Sequence, residues 1–334
     1  MNHITINCPC CNEDKNNLDS SINYVNKKFF SEHREEIFSD RKMHHCNKCN
    51  FSYSTPFLSD EILDQFYLND FSKRRMNSML VQAKIKFKFS LVSLQRIFFV
   101  SAFLNKKESH TILDFGGGAG ATTSQFKNLL PNSNVNIDDN EGYNDIWKLR
   151  GLEKKSLNSY KDGEIDLFFS SHTFEHINAN EHNNLLSFIK KKISKDGIVY
   201  IEVPNDDFSK FKNKDKLNEG CHVSHFTTKS LEILISKYFD IIDVNSRGDE
   251  RLFSEKGNGN VYENIQDTYN KNPLKKLLYK LGLLKVAQSI MQYYHIFLPK
   301  KKDEKKKLIE TMFFKKNIIA AKGSFITVLA RNKI

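Results

Sequence analysis

Residues 111–120 read Thr-Ile-Leu-Asp-Phe-Gly-Gly-Gly-Ala-Gly, and the rest of the chain is read outward from them. Ile112 and Leu113 end an apolar run of the kind that forms a buried parallel strand. Asp114 follows at the strand's C-terminal edge. Gly116, Gly118 and Gly120 then alternate through a tight turn that leads into a helical segment, 122–130. Glycine lets the backbone turn sharply there and approach a ligand more closely than a residue with a Cβ allows. A second apolar stretch, 134–137, ends in Asp138 and Asp139, which places carboxylates beside the glycine turn at the tip of the next strand. Strand, glycine turn, helix and acid-tipped strand together predict an α/β fold with a parallel sheet and a ligand site at the carboxyl ends of its strands.

Later landmarks narrow the reading. Residues 162–177 read Asp-Gly-Glu-Ile-Asp-Leu-Phe-Phe-Ser-Ser-His-Thr-Phe-Glu-His-Ile, and an amphipathic helix is expected over 183–193. Val203-Pro-Asn205 closes a further strand, 198–205. His222-Val-Ser-His225-Phe-Thr-Thr opens a helix that ends near Tyr238, and strands are expected over 239–244 and 325–331. In order, spacing and punctuation this resembles the class I S-adenosylmethionine-dependent methyltransferases, within the group that includes sugar, small-molecule and ubiquinone-pathway enzymes. The resemblance runs from about residue 108 to 248 and returns at the C-terminus. It implies a seven-stranded Rossmann-like sheet with helices on both faces. It also implies that Gly116, Gly118, Gly120 and Asp114 hold the methionine end of S-adenosylmethionine, that Asp138 accepts the ribose hydroxyls, and that His172 lines the cofactor site. A dinucleotide fingerprint is the competitor: Ala121 stands where it tolerates a third glycine, so spacing alone leaves NAD open. The acid before the glycines and the later landmarks favour the methyltransferase reading.

Cysteines give a second signal. Cys8-Pro-Cys10-Cys11 and Cys46-Asn-Lys-Cys49 each contain a C-x-x-C pair, and two such pairs suit a tetrahedral structural zinc site with ligands Cys8, Cys11, Cys46 and Cys49. The gap between them leaves room for an inserted hairpin or helix over 20–40. A disulfide pair is the alternative, disfavoured in a reducing cytoplasm. Zinc ribbons of this kind resemble the N-terminal module of several sugar and small-molecule methyltransferases. The expected organisation is a zinc ribbon (1–56), a helical linker and cofactor cover (57–107), and a methyltransferase domain (108–334) with an insertion at 250–322. Within the linker, Ser59 reads as an N-cap followed by acids.

Charge is concentrated. The 334 residues carry 51 Lys plus Arg against 40 Asp plus Glu, a net charge of +11, and residues 271–322 hold 14 lysines against three acids, which is the whole excess. The segment pairs a leucine face (Leu274, Leu277, Leu278, Leu281, Leu284) with lysines largely off it. A helical lid with a solvated lysine face fits this pattern, and so does peripheral contact of 271–307 with an anionic membrane surface. With no apolar leader and no apolar run near the roughly 20 residues needed to span a bilayer, a cytoplasmic protein is expected.

Methyl transfer to a hydroxyl needs a base, and histidine suits that role. His172, His225, His176 and His222 all fall at strand ends, with His172 and His225 preferred. In the ubiquinone-pathway relatives the positions matching His172, Glu175 and His176 bind a divalent metal; bracing of the following helix by Glu175 and His176 is the favoured reading here. The expected acceptor is a hydroxyl (or amine) of a sugar, glycolipid or nucleotide-sugar in surface-polysaccharide or natural-product assembly. A small phenol or quinone is the runner-up. RNA comes third, because the basic region lacks interleaved aromatics and Val203-Pro-Asn205 is not an Asn-Pro-Pro-Tyr-like motif. A non-catalytic scaffold is opposed by the intact glycines and Asp138.

Overall fold

The computed structural model describes residues 6–23, 41–72, 91–207, 222–247 and 325–333. The insertion expected at 250–322, with its basic segment, lies outside them. So do 24–40, the greater part of the stretch where an inserted hairpin or helix was expected.

Two sheets organise these residues. The larger has six strands in the order β5 (Asn134–Asp138), β4 (Thr111–Phe115), β6 (Ile165–Ser171), β7 (Ile193–Pro204), β10 (Phe325–Asn332) and β9 (Phe239–Arg247). The first four are mutually parallel, whereas β10 runs antiparallel to both its neighbours. Successive side chains of a strand point to opposite faces, and the core divides accordingly. Ile112, Leu167, Phe169, Ile198 and Tyr200 pack on one face with Ile97 and Val100 of α2 (Leu91–Ser101) and Phe126 of α3 (Ala121–Leu129). Leu113, Phe168, Val199, Ile201 and Val203 pack on the other, with Leu186 and Ile189 of α5 (His182–Lys192) and Leu231, Leu234 and Ile235 of α6 (Thr228–Ser236). Removing each such side chain from water stabilises the fold by about 1.5–3 kcal/mol.

This is the expected Rossmann-like α/β architecture, with one difference in strand count. A seventh strand beyond β5 is reduced to a single parallel bridge, Ile137 to Lys154. Ile137 N–H donates to Glu153 O at 3.1 Å and Lys155 N–H donates to Ile137 O at 3.0 Å. The segment 152–156 is Leu-Glu-Lys-Lys-Ser, with one apolar side chain to bury. Leu152 turns in against Ile137, Ile146 and Trp147 of α4 (Asn144–Arg150), and Ser156 then caps a 3₁₀ turn, which ends the ladder.

The smaller sheet is antiparallel, in the order β1 (Leu18–Asn23), β2 (Lys42–Cys46), β3 (Ser52–Thr55) and β8 (Ser224–His225). Its last strand comes from the segment between β7 and α6. Ser59 caps α1 (Asp60–Gln65), accepting from Ile62 N–H, as the sequence predicts, and a π-helical stretch, Phe66–Ser72, follows.

Candidate active site

Register places the first part of the site. Asp114 pairs with Ile137 and Phe115 with Asp138, so the glycine turn and the tip of β5 lie side by side. Gly116, Gly118 and Gly120 all have positive φ, at 71°, 54° and 72°. Their surroundings differ. A Cβ on Gly116 would stand 2.0 Å from Thr173 Oγ1, and one on Gly120 would stand 2.3 Å from Leu152 Cδ1. Nothing lies within 4 Å of a Cβ on Gly118. Two glycines therefore let packed segments close on the turn, while the third faces open space. The turn is braced from behind. Gly118 N–H donates to Asp139 Oδ2 at 2.6 Å, and Trp147 Nε1–H donates to Gly118 O at 2.8 Å.

The three acids divide their work. Asp139 accepts from two backbone N–H groups, those of Gly118 and Asn140, so it fixes the turn to the tip of β5. Asp138 is half-buried and accepts Leu157 N–H on Oδ2 at 2.7 Å; among the described residues its Oδ1 makes no hydrogen bond. Burial raises both carboxyls above the usual range. Asp114 is buried and accepts the Thr123 hydroxyl of α3 at 2.6 Å, and burial pushes it up to about 7. The open face at Gly118 and the available oxygen of Asp138 fit a cofactor with a hydrogen-bonding ribose lying across this edge. Asp114 is turned toward α3.

The second part gathers at the ends of β6 and β7. His172, directly after β6, has φ 60°, a left-handed conformation uncommon for a side chain of this size. Its N–H donates to Glu202 O at 2.8 Å. The imidazole sits between two buried carboxylates, with Nδ1 3.3 Å from Glu175 Oε1 and Nε2 3.4 Å from Glu202 Oε1. Burial alone would lower its pKa, but the two carboxylates win and push it up to about 9. Phe325 of β10 stacks edge-on against the ring at 4.8 Å. Glu202 is itself held by Arg96 of α2, the Ser171 hydroxyl at 3.0 Å and Tyr200 OH at 2.7 Å; burial would raise its pKa, but Arg96 and His172 keep it well below the usual carboxylate range.

All four candidate histidines come together. Glu175 lies between His172 and His176, 3.9 Å from His176 Nε2. Tyr67 OH meets His176 Nδ1 at 2.6 Å, and the His176 and His222 rings stand 4.9 Å apart. His225 Nδ1 is 3.0 Å from Asp206 Oδ2, which is also 3.8 Å from His222 Nδ1. His172 is the most open of the four, with 36% of its side chain exposed; His222 and His225 are buried. Glu175, His176 and His222 bring their ligand atoms within 4.8 Å of one another, as do Asp206, His222 and His225. His172 belongs to neither group. The backbone ties the two segments together here, with Val223 N–H donating to Glu175 O at 2.9 Å.

The cysteines converge as the spacing predicts. Sγ of Cys8 lies 3.5 Å from that of Cys49, Sγ of Cys11 lies 3.6 Å from that of Cys46, and all four fall within 4.8 Å. Four thiolates about 2.3 Å from a tetrahedral zinc stand roughly 3.8 Å apart, so the set fits that ion. The two knuckles share one geometry. Asn12 N–H donates to Cys8 O and Asn50 N–H to Cys46 O, both at 2.7 Å, and both asparagines are left-handed at φ 59° and 60°.

Sequence reasoning missed Arg96, Glu202, Asp206, Tyr67 and Trp147. Glu202 and Asp206 flank the Val203-Pro-Asn205 motif without belonging to it, Arg96, Tyr67 and Trp147 stand in stretches with no motif, and all five reach the site through tertiary packing.

Comparison with known proteins follows this geometry. Residues 92–238 match a family model described as a methyltransferase domain. No curated protein sequence matches the chain. Among solved structures, an S-adenosylmethionine-dependent methyltransferase from Archaeoglobus fulgidus is 17% identical, with 76% of this chain and 98% of that one covered at a TM-score of 0.42. Coclaurine N-methyltransferase bound to N-methylheliamine and S-adenosylhomocysteine is 18% identical, with 72% of each chain covered at 0.41. Geranyl diphosphate C-methyltransferase from Streptomyces coelicolor is 11% identical, with 71% and 80% covered at 0.38.

Proposed function

We propose that the chain, whose residues 92–238 match a methyltransferase-domain model, is an enzyme that uses S-adenosylmethionine to methylate a hydroxyl (or amine) of a sugar, glycolipid or nucleotide-sugar. The observation that carries this reading is His172. It is the open member of a cluster of four histidines at the carboxyl edge of the sheet, beside Thr173, whose hydroxyl lies 3.3–3.4 Å from the carbonyls of Phe115 and Gly116. A lining of imidazoles, the Tyr67 hydroxyl and carboxylates suits an acceptor rich in hydroxyls better than an apolar ring.

S-adenosylmethionine, when bound, would supply an electrophilic methyl carbon, whose bond to sulfur breaks as the acceptor–carbon bond forms, with S-adenosylhomocysteine as the leaving group. Gly118 leaves room for its methionine end, and Asp138 offers the ribose an acceptor. His172 takes the proton from the acceptor hydroxyl as that oxygen attacks, and Glu175 and Glu202 stabilise the imidazolium so formed. Asp206 fixes His225, and Tyr67 fixes His176, so that these rings line the acceptor side. Incubating the protein with labelled S-adenosylmethionine and panels of sugar nucleotides, glycolipids, phenols and structured RNA tests the reading. Label confined to phenols or RNA replaces it with that acceptor class, and no label with any panel favours a non-catalytic role.

The ribose assignment has its own test. Asp138→Asn keeps an acceptor for Leu157 N–H but removes the charge. Affinity for S-adenosylhomocysteine is expected to fall about 10-fold, equivalent to one charged hydrogen bond of roughly 1.5 kcal/mol; unchanged affinity by calorimetry removes Asp138 from the site.

We also propose that Cys8, Cys11, Cys46 and Cys49 hold a structural zinc. Elemental analysis of protein purified without chelator is expected to find about one zinc per chain, lost in Cys46→Ser. Finding none in the wild type rejects the site. Cytoplasmic placement and contact of 271–307 with anionic lipid remain part of this proposal. No helix among the described residues is long and apolar enough to cross a membrane. Flotation with phosphatidylserine vesicles, compared before and after deletion of 271–307, tests the lipid contact.

A further inference from the structure

The strand that carries His225 belongs to the cysteine module's sheet. Ser52 pairs with His225 and Tyr53 with Ser224. Ser54 N–H donates to Val223 O at 3.0 Å, and its hydroxyl donates to the same oxygen at 3.3 Å. Phe51 packs on Phe226 with ring centroids 5.1 Å apart, and Thr227 Oγ1 donates to Cys49 O at 3.5 Å. Tyr53 OH closes the arrangement by donating to Ile6 O, beside the first knuckle. Residues 49–54 thus hold 223–227 at successive positions, starting from a cysteine of the cluster itself. On the other side, Phe226 bridges to Asn205, and Asp206 N–H donates to Phe226 O at 2.9 Å, which brings Asp206 to His225. The cofactor turn is supported separately. β4 pairs with β5 and β6, and Gly118 is held by Asp139 and Trp147.

We propose that the N-terminal cysteine module is a positioning element of the methyl-transfer site: β3 sets the placement of His222 and His225, and opening the module displaces them without loosening the cofactor turn. This rests on the reading above, in which those histidines line the acceptor side. The cluster's role is then more than stabilisation of a remote ribbon. It fixes a strand whose side chains belong to the reaction centre.

Hydrogen exchange on the full chain tests the coupling without an acceptor. In the untreated protein 42–55 and 222–227 are expected to open as one unit, distinct from 111–115. After metal is stripped by a chelator, exchange in both segments is expected to rise at least about tenfold while 111–115 stays within about twofold, and calorimetry shows S-adenosylhomocysteine affinity within about threefold. In histidine-labelled protein the His222 and His225 ring resonances are expected to move and that of His110, directly before β4, is not. Ser54→Pro, which removes both donors to Val223 O and leaves every cysteine in place, is expected to loosen 222–227 alone. Retained protection of 222–227 with 42–55 open overturns the proposal. Joint loss of protection at 111–115 and of cofactor binding also overturns it, because the module is then a general staple. Failure of the underlying reading looks different: His222→Gln and His225→Gln would retain full methyl transfer with the exchange coupling intact.

Discussion

Gly118→Val is expected to abolish S-adenosylhomocysteine binding while the fold survives. The residue sits at φ 54° with nothing within 4 Å of a Cβ, so a valine meets no protein atom at the Cβ position. The left-handed backbone costs a branched side chain about 1–2 kcal/mol, against a total stability on the order of 5–15 kcal/mol. That corresponds to a melting temperature lower by only a few degrees, about 2–4 °C per kcal/mol in a domain of this size. The added methyls fill the open side of the turn, where the proposed function puts the methionine end of the cofactor. Affinity should fall by at least about 100-fold, roughly 2.7 kcal/mol. Gly116→Val gives the contrast. There a Cβ would lie 2.0 Å from Thr173 Oγ1, so the expected result is loss of folding rather than loss of binding. Calorimetry and thermal unfolding of the two variants together separate a cradle from a packing contact. If Gly118→Val binds as tightly as the wild type, the open side of the turn is not where the cofactor lies.

The contrast between these glycines shows what the sequence made legible. Local constraints are written in residue types: a turn with three positive-φ positions calls for glycine, and paired cysteines call for a common ion. Those features were readable, as were the acid-tipped β5 and the Ser59 cap. The apolar run ending in Ile112 and Leu113 marked a strand buried on both faces, and the two side chains do pack into the cores on opposite sides of the sheet. Register was not readable. Ser171 pairs with Glu202, and that pairing alone brings a buried carboxylate to within 3.4 Å of His172. Glu202 stands in an ordinary apolar strand, and Arg96 in an ordinary amphipathic helix. The missing seventh strand has a similar cause, because whether 152–156 extends into a ladder depends on Leu152 being taken up by Trp147 and Ile137. Of the adjacent Asp138 and Asp139, the sequence reading assigned the ribose to Asp138 through the family resemblance, with no local pattern to say what Asp139 does. Only the turn geometry shows that Asp139 is committed to Gly118 and Asn140, which leaves Asp138 the better placed for a ligand.

His172→Gln is expected to lower kcat for methyl transfer to a hydroxyl by about 10²–10⁴-fold, the usual contribution of a positioned base, with S-adenosylhomocysteine affinity unchanged. The pH dependence gives the sharper test. His172 is faced by Glu175 from the turn after β6, by Glu202 from β7 with Arg96 of α2 behind it, and by Phe325 from β10; His176 and His222 stand beyond Glu175. The two carboxylates push its pKa up to about 9, so at neutral pH most of it is imidazolium and holds no free electron pair. A base must be neutral to accept a proton. The competent fraction therefore grows about tenfold per pH unit up to the pKa and levels off above it. Single-turnover rates on a hydroxyl acceptor should climb with a slope near one from pH 7 to about 9, and the slope should vanish in His172→Gln. Glu175→Gln or Glu202→Gln, where the chain still folds, removes one stabilising charge and should move the plateau to lower pH. A plateau that stays in place in both variants, or a slope that persists without His172, assigns the proton to another member of the cluster. His176 would then be the next candidate, since it is the more open of the remaining three and is already aligned by Tyr67.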